Sequence, residues 1–482
     1  MSQIFNPTCW RREPASRAAV LVDVANYYAA AKAAMQSARR SIHLLNWAFE
    51  SRTKLEPDDA EDIGAFLKRL ATEGIDVRIL CWKTALPVAA TQDFFPLQDR
   101  KSFRDSKVRF VLDGGHPFGA CHHQKAIVID DALAFCGGAD FGQDRWDTTQ
   151  HLDDDPRRRR PPRLDRCFES RHEVMALVEG APAAALGELF RQRWRAATGE
   201  TLGPGPPVAG SAWPGQVSAQ YADVEVAIAR AAPAWRSRPE IRETQALTLA
   251  SIAAAQRCIY MENQYYTSPV AAEALADRLA DRDGPEVVLI STKRSPNWFD
   301  QMTMDRARGD FIRRLRRADS GGRFHIYSPS TARERFIIVH AKLAIIDDDF
   351  VRVGSANMNN RSSGFDTECD LALVIANQGG RAAARALRLG LVAHWLGCAP
   401  EVVAEAVERE GRLGAAIEAL RGEGHTRLTP VEPQFLGPLA LFIAKFHLGD
   451  PLGPADSLRP RLRRRRLAIE VEETAARLRD VG

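Results

Sequence analysis

Residues 123–140 read HQKAIVIDDALAFCGGAD, and residues 340–357 read HAKLAIIDDDFVRVGSAN. They align without a gap at a constant offset of 217, so that His123 meets His340, Lys125 meets Lys342, Asp130 meets Asp347, Gly137 meets Gly354 and Asp140 meets Asn357. The apolar runs after each lysine predict buried strands. Residues i and i+2 of a strand share a face, so each histidine points the same way as its lysine. An unpartnered charge on a buried strand is costly, and its recurrence at the same spacing argues against a chance solvated strand end. If the two strands meet, two imidazoles and two ammoniums converge, a set that suits a tetrahedral phosphate. Imidazole acts as nucleophile or general acid near neutral pH. The lysines neutralise charge building on the non-bridging oxygens. Gly137-Gly138 and Gly354-Ser355 allow close approach of backbone or hydroxyl donors. No carboxylate cluster has the pattern of a two-metal site, so chemistry without a metal or cofactor is expected.

The elements that must position these residues repeat as well. Residues 31–49 resemble residues 246–266, each a helical pattern followed by an apolar strand ending in polar and aromatic residues. Each is followed by another helix and strand, Ile63–Ala71 then Val77–Cys81, and Ala271–Leu279 then Val287–Ile290. Alternating helices and strands predict an α/β fold. We expect two similar α/β lobes related by a pseudo-twofold axis, each a mixed sheet flanked by helices, with the active site between them. The boundaries read as 1–205 for the first lobe, 206–400 for the second and 401–482 for a helical extension. Residues 200–218 are Gly- and Pro-rich and read as the linker, and 152–163 as a charged surface loop. The run Arg459–Arg466 is a basic cluster ahead of a last helix at about 467–479.

Lys plus Arg is 66 and Asp plus Glu is 62, a net charge of +4, far from a nucleic-acid packaging protein. An apolar content of 45% and a charged content of 27% exclude a disordered chain. The eight cysteines show no zinc-finger or CxxC spacing and read as reduced core residues. No apolar leader is visible at the N-terminus, and no run approaches about 18 uninterrupted apolar residues. A cytoplasmic protein, peripheral to the inner face of the membrane, is therefore expected. Phe435–Phe446 is the most apolar stretch, and burial is the favoured reading over a membrane-surface segment.

The doubled H-x-K-x4-D, followed by GGAD and by GSANMNNRS, resembles the phospholipase D superfamily. The resemblance extends to Leu45-Asn46-Trp47, Gly137–Asp147, Ile259–Tyr266 and Gly354–Glu368. The RWDT and ENQYY segments are closer to phospholipid-acting members than to the short single-motif nucleases. The resemblance implies a two-step reaction through a phosphohistidine. On it, His123 is the nucleophile and His340 the general acid/base, Lys125 and Lys342 bind phosphate oxygens, and Asp140 and Asn357 flank them, with Ser355 and Gly138 beside the substrate. The residues alone leave the order of the two histidines open, because the halves are chemically similar. A catalytic imidazole also needs an acceptor on its other nitrogen. Here the resemblance implies Glu368 for His123 and Glu173 of the His172-Glu173 pair for His340. Glu173 departs from the usual Asp, and Arg171 from the usual Trp. Asp130 and Asp347 read as turn-fixing residues.

The implied activity is hydrolysis of glycerophospholipids to phosphatidic acid and head-group alcohol, or transfer of the phosphatidyl group. The alternatives are a cardiolipin synthase-like transferase and a nuclease of the same superfamily. Low net charge and the lack of a basic stripe argue against nucleic acid as partner. Arg157–Arg160 and Arg459–Arg466 could contact anionic lipid or stand as solvated faces. Trp47, Phe49, Trp82, Tyr265, Tyr266 and Trp298 fall near strand ends, where ligands bind in α/β sheets. His151 and His394, among other histidines, read as structural or surface residues. No feature fixes an oligomeric state.

Overall fold

The repeated motifs become hairpins in the computed structural model, which describes residues 8–84, 96–160, 163–208, 210–296, 298–423, 427–433 and 438–481. In the first half, Ala126–Ile129 turns back through Asp130 and Asp131 into Leu133–Gly137. In the second, Lys342–Ile346 turns through Asp347 and Asp348 into Phe350–Gly354. The turn aspartates have φ of 54–60°, a left-handed conformation that Asp tolerates better than most residues. All these strands are buried along their length, as their uninterrupted apolar runs require.

Outward from each hairpin the chain repeats one pattern. Ser41–Asn46 pairs antiparallel with the first hairpin and parallel with Asp76–Trp82, which pairs with Arg109–Asp113. Cys258–Asn263, Glu286–Ile290 and Phe324–Pro329 repeat the order beside the second hairpin. Parallel neighbours need crossover connections, and the helices Ile63–Thr72 and Pro269–Ala280 supply them. Both start where the sequence provides a cap: Asp62 and Ser268 accept from the backbone N–H groups of Ala65 and Ala271.

The two halves are related by a pseudo-twofold, and their sheets join into one of 16 strands. Arg11–Val22 and Tyr221–Ala232 lie antiparallel at the seam, flanked by Val174–Gly180 and Glu368–Val374. Pairing the inner edges satisfies backbone groups that two separate sheets would expose. Beyond residue 400, Pro400–Glu410 and Leu413–Gly422 are helices, and Leu428–Pro430 adds a strand to Phe324–Pro329.

Two surface expectations change. Residues 435–437 of the apolar stretch lie outside the described residues. In the helix that follows, Pro438–Lys445, Leu441 and Phe442 are half exposed while Ala444 is buried. This eight-residue helix lies against one flank of Trp298–Ala318 and covers only one of its own faces. The basic run forms the first turns of the last helix, Pro460–Val481. There Arg463 is buried against the carbonyls of His447, Asp456 and Ser457, and Arg466 pairs with Asp456 at 2.9 Å. Arg459, Arg461, Arg464 and Arg465 stay exposed. No described helix is long and apolar enough to cross a membrane.

Candidate active site

Each motif histidine sits just before its hairpin, held by backbone from the other half. The His123 N–H donates to the Thr367 carbonyl, and the His340 N–H to the His172 carbonyl, both at 2.9 Å. Thr367 and His172 immediately precede Glu368 and Glu173, so the same pairing delivers a carboxylate to each imidazole. His123 Nδ1 lies 2.9 Å from Glu368 Oε2 in a hydrogen bond. His340 Nδ1 lies 2.6 Å from Glu173 Oε1, but without hydrogen-bond alignment among the described residues.

The lysines also match. Lys125 Nζ donates to the His123 carbonyl at 2.8 Å and Lys342 Nζ to the His340 carbonyl at 2.5 Å. Both are almost wholly buried. Burial pulls His123 well below its usual pKa, assisted by the charges of Lys125 and Lys342. His340 is lowered in the same way, by burial and then by Lys342, Arg145, Arg171 and Lys125. Each imidazole thus feels the lysine of both halves. Burial brings Lys342 down to about 7 and raises Glu368 to about 8 against the pull of Lys125.

The other expected site residues stand one layer back. Asp140 is buried, accepts from the backbone N–H groups of Trp47 (2.9 Å) and Ala48 (3.1 Å), and lies 3.5 Å from Lys125 Nζ. The Ser355 hydroxyl donates to Glu368 Oε2 at 2.5 Å. Gly138 faces Glu173: a Cβ there would lie 2.7 Å from Glu173 Oε2 and 3.1 Å from the His340 carbonyl. The Asn357 N–H donates to Ser362 Oγ at 3.0 Å, and its side-chain oxygen is buried without a partner among the described residues. Asp130 accepts from the N–H groups of Arg39, Arg40 and Ser41, and Asp347 from those of Gln256, Arg257 and Cys258. Each therefore pins the start of the neighbouring strand.

Of the aromatics, Trp47 stacks on Trp82 at 5.6 Å, with Lys125 Nζ 6.0 Å from the Trp47 ring. Phe49 and Tyr266 are core residues, Tyr265 donates to Asp300 at 2.6 Å, and the Trp298 side chain lies outside the described set. Arg361 is held by Asp366 at 2.8 Å, while Arg145 and Arg171 both meet Asp144, at 3.3 and 2.9 Å.

Two features escape sequence reasoning. Ser362 donates to Glu368 Oε1 at 2.6 Å; it lies inside the GSANMNNRSS stretch, but nothing marks which hydroxyl turns inward. The second is a group behind Glu173, where His172 contacts Asp23 at 2.8 Å and Glu262 at 2.7 Å, with His151 and His394 alongside. Burial opposes the charged form of His172, but Asp23 and Glu262 outweigh it and push the ring up to about 10.

Two His–Lys hairpins meet across the seam of a duplicated α/β sheet and bring two imidazoles and two lysines from both halves of one chain together. Residues 34–205 match the family model described as phospholipase D, and residues 248–388 the one described as cardiolipin synthase, PLD-like domain. The two matches together take in well over half of the chain, and it belongs to the phospholipase D superfamily. It is 23% identical to phospholipase D A of Dictyostelium discoideum, over 74% of this chain and 32% of that protein. It is 23% identical to phospholipase D alpha 2 of Oryza sativa subsp. japonica, over 70% of this chain and 59% of that protein. The chain thus spans about a third to three-fifths of the length of these relatives. The fold is similar to that of a phosphatidylserine synthase from Haemophilus influenzae Rd KW20. That match has a TM-score of 0.58 at 12% identity and covers 96% of this chain and 98% of that one.

Proposed function

We propose that the protein is a phosphodiesterase of the phospholipase D type, acting on glycerophospholipids through a phosphohistidine. The observation that carries this is the buried pair of imidazoles, each with Nδ1 turned to a carboxylate from the opposite half and each flanked by both lysines. With Nδ1–H held by Glu368, the Nε2 lone pair of His123 attacks phosphorus. The bond from phosphorus to the head-group oxygen breaks, and protonated His340 gives that oxygen its proton. The anionic phosphate supplies the negative charge that keeps His340 protonated until then. Neutral His340 next takes a proton from water, or from an alcohol, which attacks the phosphohistidine and releases His123. Lys125 and Lys342 balance the charge on the non-bridging oxygens, so the chemical steps need no metal.

Membrane contact is part of the proposal. The half-exposed Phe442 packs on Phe446 at 4.8 Å, and the exposed Arg464 lies 5.9 Å from the Phe446 ring, with the half-exposed Leu441 next to Phe442 in the chain. Apolar groups beside cations suit an anionic lipid surface, at about 1 kcal/mol per basic residue.

The phosphatidyltransferase alternative is favoured by one observation, the description of the model matching the second half. One experiment separates the readings: mass spectrometry of mixed phospholipids incubated with enzyme, EDTA and a short primary alcohol, for wild type and His123→Asn. Phosphatidic acid with phosphatidyl-alcohol, absent in the variant, supports the phospholipase. Cardiolipin as main product supports the transferase. No lipid turnover overturns both and directs the test to single-stranded DNA.

A further inference from the structure

Behind Glu173, four side chains that the proposed reaction does not use converge on one buried point. Asp23, His151, His172 and His394 each offer a ligand atom, and these atoms all lie within 4.8 Å of one another. The three imidazoles stand 4.9, 5.6 and 6.2 Å apart, centre to centre. Three of the polar atoms, Asp23 Oδ2, His151 Nε2 and His394 Nε2, are buried without a hydrogen-bond partner among the described residues. Asp23 and His151 are each at least nine-tenths buried. Unsatisfied buried polar atoms are rare, and each costs about 1–3 kcal/mol.

The outer contacts have the form of a metal site. A ligating histidine usually gives its other ring nitrogen to a carboxylate. His151 presents Nε2 to the centre while Nδ1 bonds Asp147 at 2.9 Å, and His172 presents Nδ1 while Nε2 bonds Glu262 at 2.7 Å. Glu262 is in turn fixed by the Tyr260 hydroxyl and the Trp395 indole. Charge points the same way. Asp147 has Arg158 at 3.3 Å, but among the described residues the buried carboxylates Asp23 and Glu262 pair with imidazoles alone, His172 between them and His151 3.8 Å from Asp23. One dication among three neutral imidazoles balances both.

We propose that Asp23, His151, His172 and His394 bind one transition-metal dication, with zinc the best fit. Three imidazoles and one carboxylate make a closed tetrahedral set, as in structural zinc sites. Zinc–ligand bonds of about 2.0–2.1 Å place tetrahedral ligand atoms roughly 3.4 Å apart, so atoms now within 4.8 Å of one another close by up to about 1.4 Å on binding. Asp23 follows the seam strand Arg11–Val22, whereas His394 comes from the second-half helix Gln378–Leu396. The ion therefore staples the halves together. It stands one residue behind Glu173, whose carbonyl accepts from the Asp23 N–H at 2.8 Å. Its role is to hold structure, outside the phosphate chemistry, and its failure would leave the phosphodiesterase reading intact.

The test compares the full chain as wild type, His394→Gln, His151→Gln and His123→Asn, produced in zinc-supplemented medium. Elemental analysis is expected to find about one zinc per chain in wild type and in His123→Asn, and well under half of that in the other two. Chelator-treated wild type is expected to gain several degrees of melting temperature on adding one equivalent of Zn²⁺. With Co²⁺ it is expected to show the visible bands of a tetrahedral site. Wild type holding no more zinc than His394→Gln, with a melting temperature insensitive to Zn²⁺ and no Co²⁺ bands, would overturn the proposal. In that case His172 would stand as an imidazolium between Asp23 and Glu262. If His394→Gln fails to fold, the Zn²⁺ and Co²⁺ titrations of wild type decide alone.

Discussion

His123 and His340 lean on the same kind of carboxylate, held in two different ways. Glu368 is clamped: Ser355 and Ser362 each donate to one of its oxygens, and it makes an aligned hydrogen bond to His123. At the offset of the repeat, those serines are replaced by Gly138 and Arg145. Among the described residues Glu173 therefore receives no hydroxyl. It rests over the bare Cα of Gly138, and burial raises its pKa against the charges of Lys342, Arg145 and Arg171. One acceptor is fixed by directional bonds and the other by a surrounding field. Directional bonds hold a ring in one orientation, which in-line attack on phosphorus demands. A field tolerates small shifts, which suits a ring that gives a proton and later takes one back. The duplication preserved the strands and the His–Lys pairs, and the halves diverged in the layer behind them.

The sharpest break in that comparison is removal of the imidazoles. His123→Asn should lose turnover by at least about 10⁴-fold and form no phosphoenzyme. His340→Asn, given a substrate whose alcohol leaves without protonation, should form the phosphoenzyme and fail to hydrolyse it. Rapid-quench trapping reads both, and a reversed pattern would exchange the two roles.

Next come the carboxylates. Glu368→Gln should lower kcat by about 10³-fold, because an amide no longer selects the right tautomer of His123. Glu173→Gln should cost roughly ten times less. Equal losses in steady-state assays would mean that the different anchoring has no catalytic meaning.

The pH profile separates the halves further. Lys342, brought down to about 7, loses its charge as pH rises through that value, so kcat/KM should fall on the alkaline side. Lys342→Arg keeps its charge and should move that limb to higher pH. On the acid side, His123 lies well below 6.5 and stays neutral, hence nucleophilic, beneath that pH. Glu368, raised to about 8, is the other group titrating on that side, so an acid limb at 6.5 or above in kcat/KM that persists in Glu368→Gln would contradict this.

The smallest effects test the layer behind. Ser362→Ala leaves one oxygen of a buried carboxylate without its donor and should cost about 1–3 kcal/mol in denaturant unfolding. Gly138→Ala places a methyl against Glu173 and should lower kcat by about tenfold with little change in KM. An unaltered rate would mean that Glu173 does not need its present position.

Much of the fold was legible because it rests on local chemistry repeated twice. Apolar runs read as buried strands, Asp130 and Asp347 beyond them as turn-fixing residues, and the alternation of helical and strand patterns as an α/β fold. The His–Lys pairs followed from strand periodicity and the offset alone. Ser362 was not legible, since a hydroxyl in a polar stretch carries no mark of which way it turns. The exposed face of Pro438–Lys445 was misread, since an apolar run does not tell how much neighbouring surface is there to cover it. His151 and His394 read as ordinary structural or surface histidines, since the sequence places them 243 residues apart.

The sequence by itself determined the duplication and the two strand-borne His–Lys pairs, while the carboxylates that serve them came from the resemblance to the family. The duplication and the pairs depend on residue type, period and spacing, which are written along the chain. Only the tertiary structure decided that the two sheets fuse at the Arg11–Val22 and Tyr221–Ala232 seam. It alone decided that Ser355 and Ser362 clamp one carboxylate while the other rests over Gly138, and that Asp23, His151, His172 and His394 meet behind the second. Those outcomes depend on which distant surfaces pack together to satisfy backbone groups and buried charges, and no local pattern encodes that choice.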